Sequence, residues 1–145
     1  MPCLPRLPGG ATLLGMKTIR VSAAVICQGN YIYATRRAYG EFKGWWEFPG
    51  GKREEGETGE AAAIREIKEE LGVDIEVDSY LTTVEYQYPS FYLVMDCYVC
   101  SIKSGHLNLK VHDDAKWLHK EELESVDWLP ADVLVVDKLL KAFGC

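Results

Sequence analysis

No apolar run in the 145 residues approaches the ~20 needed to cross a bilayer as a helix, so no membrane span is expected. Basic residues are in the minority, 16 Lys and Arg against 22 Asp and Glu. The resulting net charge of −6 argues against a broad surface for a nucleic-acid polymer, and fits a small anionic substrate only where local cations neutralise it. The five cysteines, Cys3, Cys27, Cys97, Cys100 and Cys145, are odd in number, and two lie in terminal segments. They make no disulfide framework, and a reducing cytoplasm is the expected location. Cys97 and Cys100 form a CxxC without a second pair, and they fall in the strand-like run from Phe91 to Ser101. On a strand that spacing points the thiols to opposite faces, which argues against a shared zinc or redox site and for core or surface thiols. Residues 1 to 15 are rich in Pro and Gly but lack the charged and apolar regions of a secretory signal. They read as a leader outside the domain, from an upstream start or an added sequence, and the domain is expected over 16–145.

What is present in excess is glutamate on one predicted helix. Glu66, Glu69 and Glu70 stand at i, i+3 and i+4, so at ~100° per residue their side chains fall within about a quarter of the helix circumference. Like charges at that spacing repel, and a hard divalent cation with oxygen ligands is the natural compensation. The opposite stripe, Ala63, Ile64, Ile67 and Leu71, is expected to pack on a sheet. A Glu-rich face alone is usually solvated surface; the surrounding spacing decides the matter. Gly51, Glu57, Arg65, Glu66, Ile67, Glu69, Glu70, Gly72 and Val73 fill every position of GX5EX7REUXEEXGU, where U is a bulky aliphatic. Chance would supply that on the order of once in a billion start sites.

Around this stretch, Ile19 to Cys27 and Tyr31 to Thr35 read as a hairpin turning at Gly29-Asn30. Gly50-Gly51 reads as a turn where unusual backbone angles let the chain pass close to a bound ion or phosphate. Thr58 is placed to cap a helix that ends at Gly72. Val73 to Tyr88 and Phe91 to Ile102 read as long strands, Ala115 to Leu118 as a short one, Lys120 to Ser125 as a helical turn, and Ala131 to Phe143 as a terminal helix. The order is that of an α/β layered domain.

The filled pattern resembles the signature of Nudix hydrolases, and the likeness runs from about Met16 to Phe143. The flanking residues Thr35-Arg36-Arg37, WEFPGGK at 46 to 52, Val84-Glu85-Tyr86, Tyr88-Pro89, Trp117 and Leu129-Pro130-Ala131-Asp132 are most similar to the MutT-type nucleoside triphosphate pyrophosphohydrolases. The resemblance implies a mixed β-sheet sandwiched between helices. It implies magnesium, with manganese as a substitute, held by Glu66, Glu69, Glu70 and the carbonyl of Gly50. It gives Arg65 and Glu57 a bracing ion pair, sets Arg37 and Lys52 on the phosphates, places Glu47 and Phe48 in the base pocket, and makes Asp132 the reader of the base edge. The implied reaction takes a CTP-like or oxidised triphosphate, such as 8-oxo-dGTP, to the monophosphate and pyrophosphate. The implied protein is a monomer or homodimer that binds neither membrane nor nucleic-acid polymer. The rival readings are hydrolysis of ADP-ribose or a dinucleotide, and nucleotide sensing without turnover.

Three residues depart from the relatives. Val111 stands where many carry a glutamate that serves the metal or the base, leaving His112, Asp113, Asp114 or a helix glutamate to substitute. Phe91 replaces a basic residue and either stacks on a base or packs. Asp132 replaces asparagine; ionised, it would only accept hydrogen bonds and so favour base edges with donors, unless it merely caps the terminal helix.

Overall fold

Strict alternation along the first strand, β1 (Lys17–Gln28), sets the layering. Ala23 and Val25 point into one apolar cluster and Ala24 and Ile26 into another, all buried. A strand buried on both faces needs cover on both. The computed structural model describes residues 17–142, so the expected leader at 1–15 and the last residue of the expected terminal helix lie outside the described residues. β2 (Tyr31–Arg37) returns antiparallel to β1 across the turn at Gly29, whose φ of 61° suits glycine. Two long strands, β5 (Asp74–Gln87) and β6 (Phe91–Ser104), pair antiparallel, and β6 lies parallel to β1. The main order, with β3 (Trp46–Glu47) at one edge, is β3-β2-β1-β6-β5 and is therefore a mixed sheet. Its remaining strands are short, β3 on β2 and β4 (Gly50–Lys52) on β1, with β7 (His112–His119) on the other edge of β2.

Helix α1 (Gly59–Leu71) covers one face and α2 (Pro130–Ala142) the other, which is the expected sandwich. The Thr58 hydroxyl accepts from the Ala61 amide at 3.1 Å, and Gly72 at φ 75° closes the helix by donating to the Lys68 carbonyl. Ile67 and Leu71 are wholly buried, a gain of ~1.5–3 kcal/mol each. The expected apolar stripe is corrected at one position: Ile64 is 38 % exposed, and Ala62 is buried in its stead. The cause is close approach at the start of the helix, where a Cβ at Gly59 would run into the Tyr98 hydroxyl. The small edge formed by Gly59, Ala62 and Ala63 draws the helix down and rolls Ile64 outward.

The WWEFPGGK stretch is likewise more regular than a loop. It crosses the sheet from β2 to β1, pairing Glu47 with Thr35 and then Gly51 with Ser22. Neither Gly50 nor Gly51 has positive φ, so the expectation of a glycine turn is corrected. Both are glycine for clearance: a Cβ on Gly50 would strike the Ser22 carbonyl, and one on Gly51 would occupy the place of the Glu66 carboxylate. The chain's far end is fastened to this crossing. Trp46 donates to Asp127 and accepts from Leu129, both at 2.9 Å, and Phe48 stacks on Trp128.

Candidate active site

The crossing segment, α1 and the start of α2 enclose a cavity of about 570 Å³. Arg37, Glu47, Phe48, Gly50, Lys52, Glu66, Glu70 and Asp132 all line it, so most residues expected to meet substrate are brought to one place. Glu69 and Arg65 are not on its wall. Glu69 is exposed, and its carboxylate lies 3.3 Å from Arg65. The expected convergence of three carboxylates is therefore two plus a neighbour on the rim, and among the described residues no three acidic, His or Cys side chains form a ready metal cage. The helix explains the split: Glu70 follows the buried face of Ala63 and Ile67, Glu66 sits at its edge, and Glu69 lies beyond it on the side where Arg65 can reach.

Arg65 is the brace. Its Nε and Nη2 fork onto Glu57 at 2.7 and 3.0 Å, Nη1 holds Glu66 at 2.9 Å, and Nη2 also donates to the Lys52 carbonyl at 2.9 Å. One guanidinium thus ties the loop, β4 and the helix together. The Arg65 fork, helped by the Glu54 amide, holds the Glu57 carboxyl down at about 2. Glu70 is displaced the other way. Burial, then the charges of Glu66 and Glu47, push it up to about 8, against a hydrogen bond from the Gly50 amide. Its Oε1 is buried without a partner. An orphaned carboxylate oxygen beside a second carboxylate is a hard-oxygen donor set, and it fits a divalent cation.

At the other end Asp132 is buried. It is not the cap of α2: it stands in the first turn, and its carboxyl accepts from the Phe48 amide. Burial, reinforced by the charge of Glu47, raises it well above the ordinary carboxylate range. Burial thus works against the charge of Asp132, whose ionised form would only accept hydrogen bonds from a base edge. Tyr88 supports this end, its hydroxyl accepting from the Ala131 amide at 3.1 Å, and Phe91 stacks on Tyr88 while lining the cavity. Of the alternatives open for Phe91, the packing is what the structure shows.

Of the residues offered as substitutes at Val111, the helix glutamates Glu66 and Glu70 line the cavity, and of the three in β7 His112 alone enters it. Asp113 turns out to Arg36 at 2.7 Å, and Asp114 accepts from the Ala115 amide. The His112 Nε2 lies 3.0 Å from one oxygen of Glu47, whose other oxygen accepts from Arg37 Nη1 at 3.1 Å. The sequence gives no sign of this clamp beyond the presence of His112. It equally hides the loop residues Tyr39, Glu41 and Phe42 on the cavity wall.

Residues 16–143 match the NUDIX domain. The chain belongs to the Nudix family. The 8-oxo-dGTP diphosphatase of Escherichia coli (strain K12) is 32% identical over 86% of this chain and 98% of its own length. The CTP pyrophosphohydrolase of the same organism is 33% identical over 88% and 93%. Among solved structures, the E. coli ORF135 protein superposes with a TM-score of 0.76 at 28% identity, covering 90% of this chain and 94% of that one. This protein is thus a Nudix hydrolase with relatives named as diphosphatases. Among the described residues no helix is long and apolar enough to cross a membrane.

Proposed function

We propose that this Nudix hydrolase cleaves a nucleoside triphosphate, CTP-like or oxidised such as 8-oxo-dGTP, to the monophosphate and pyrophosphate, with magnesium as its cofactor. The observation that carries the reading is the polarity of the cavity, with the carboxylates Glu66 and Glu70 at one end and the buried Asp132 beside Phe48 at the other. A nucleotide has the same polarity, phosphates at one end and a base at the other.

Glu66, Glu70 and the Gly50 carbonyl, with Glu69 from the rim, would hold the metal, which when bound screens the phosphates and polarises the phosphorus under attack. Lys52 supplies positive charge on the same wall. Arg65 keeps Glu66 from swinging away by holding it at 2.9 Å. Asp132 and Phe48 bind the base, the former by hydrogen bonds to its edge and the latter as apolar wall. The test is pyrophosphate release by the purified protein, with Mg²⁺ and then EDTA, across CTP, dCTP, 8-oxo-dGTP, the other triphosphates and ADP-ribose. Selective, metal-dependent pyrophosphate is expected. Product from ADP-ribose alone would replace the triphosphate reading, and nucleotide binding without any product would favour a sensing role.

A further inference from the structure

Glu47, expected in the base pocket, is a carboxylate on the cavity wall for which the structure suggests a more particular task. Arg37 from β2 and His112 from β7 grip its two oxygens, at 3.1 and 3.0 Å. Arg37 only donates, so Glu47 is held as an acceptor. In the neutral imidazole the hydrogen on Nε2 then goes to Glu47 as well. The His112 ring is buried, its side chain 3 % exposed, whereas the Glu47 side chain is 17 % exposed and lines the cavity. Each Glu47 oxygen keeps a free lone pair, so the clamp presents a fixed, accept-only group to whatever fills the site.

Its place along the cavity says what that is. Two residues on the same short crossing segment mark the two ends: a Cβ on Gly51 would meet the Glu66 carboxylate, and the Trp46 carbonyl accepts from the Leu129 amide, three residues before Asp132. Glu47 stands between Trp46 and Gly51 on that segment and lines the cavity together with Glu66, Glu70 and Asp132. It therefore lies between the phosphate end and the base end, and in a nucleotide the sugar lies between phosphate and base. An anionic acceptor repels phosphate oxygens and matches a hydroxyl donor. We infer that Glu47 accepts a hydrogen bond from a sugar hydroxyl of the bound nucleotide, and that His112 is a positioning residue which holds Glu47 for that task. The inference rests on the triphosphate reading for its substrate and on the clamp for its geometry.

The experiment compares the preferred triphosphate with its 2′-deoxy, 3′-deoxy and 2′,3′-dideoxy forms on the wild type, Glu47→Gln, His112→Ala and His112→Gln, with thermal melts to verify folding. A hydrogen bond to a charged acceptor is worth about 10- to 100-fold. Removing the recognised hydroxyl should raise the wild-type KM by about that factor with a smaller effect on kcat, and the single-deoxy forms identify which hydroxyl it is. The penalty should shrink to about threefold or less in Glu47→Gln and His112→Ala, and should survive in His112→Gln, whose amide can donate as Nε2 does. A penalty of equal size in the wild type and Glu47→Gln, or none in the wild type, overturns the sugar assignment. A full penalty in His112→Ala overturns the positioning role. Calorimetric titration of the nucleoside monophosphate and its dideoxy form into the metal-free protein separates this from the reaction itself. If the wild type turns over no triphosphate, the functional reading fails, yet a dideoxy penalty in binding that Glu47→Gln abolishes still upholds the sugar contact, and its absence refutes it.

Discussion

Replacing Glu70 with Gln should stabilise the metal-free protein while abolishing its response to metal. In the wild type, burial and the neighbouring Glu66 and Glu47 raise the Glu70 carboxyl from 4.5 to about 8. An acid raised on folding makes the folded state bind its proton more tightly than the unfolded chain does, so its stabilising share is complete below pH 4.5 and is lost as pH climbs through about 8. The full shift corresponds to ~5 kcal/mol. Glu70 faces a cavity open to water, which screens the charge, so we expect ~2 kcal/mol to be visible between pH 5 and 9. For a domain of this size that is a fall of roughly 4–8 °C in melting temperature. Gln keeps the shape and removes the charge, so the variant should melt higher than the wild type at pH 8.5 in EDTA and show no decline across that range from this group. Mg²⁺ should restore the wild type by mass action and leave the variant unmoved. Thermal melts at pH 5.5, 7 and 8.5, with EDTA and with Mg²⁺, measure both effects. A variant no more stable than the wild type at pH 8.5 in EDTA would show that the ionised carboxyls are not in conflict, and the electrostatic account of the site would fall.

Gly51→Ala should keep the far-ultraviolet circular dichroism of the wild type but lose ~100-fold or more in turnover, because its Cβ would displace the Glu66 carboxylate; a normal rate would refute the clearance argument. Glu57, held down at about 2 chiefly by Arg65, stabilises the fold above pH 4.5 and loses that contribution as pH falls toward 2. Acid melts of Glu57→Gln should therefore show a shallower decline than the wild type over that window, and parallel curves would remove Glu57 from the brace. Burial raises the thiols of Cys97 and Cys100, the latter to about 12, and both are inaccessible. Among the three described cysteines, iodoacetamide followed by peptide mass mapping should find Cys27, which is only partly buried, labelled first.

The signature was legible because it is local: the short strand β4, the loop after it, one helix and the two residues that close it carry every fixed position, and helical geometry converts spacing into adjacency. Arg65 and Glu57 could be paired in advance for the same reason. Ile64 was misplaced because periodicity gives the width of a buried face but not its centre, which Gly59 and Tyr98 set by close approach from another strand. Gly50 and Gly51 were recognised as required, though for conformation rather than space, since the atoms that exclude a side chain belong to Ser22 and Glu66. The Glu47–His112 pair, 65 residues apart, depends on β3 and β7 flanking the same strand. No spacing rule reaches that far. The burial that pushes the Asp132 carboxyl upward was hidden for a related cause, because burial is a property of the assembled layers.

The tie between Trp46 and residues 127–129 also sets a schedule. Glu66 and Glu70 are translated early and can be positioned by their own helix, yet the wall opposite them waits for Leu129 and Asp132, more than fifty residues later. Until that late segment docks, Phe48 lacks its stacking partner Trp128 and Asp132 has no amide to accept from. A ribosome-bound chain can thus carry the half of the site proposed to hold metal without the half proposed to choose a base, and the cavity is complete only when nearly the whole domain has emerged.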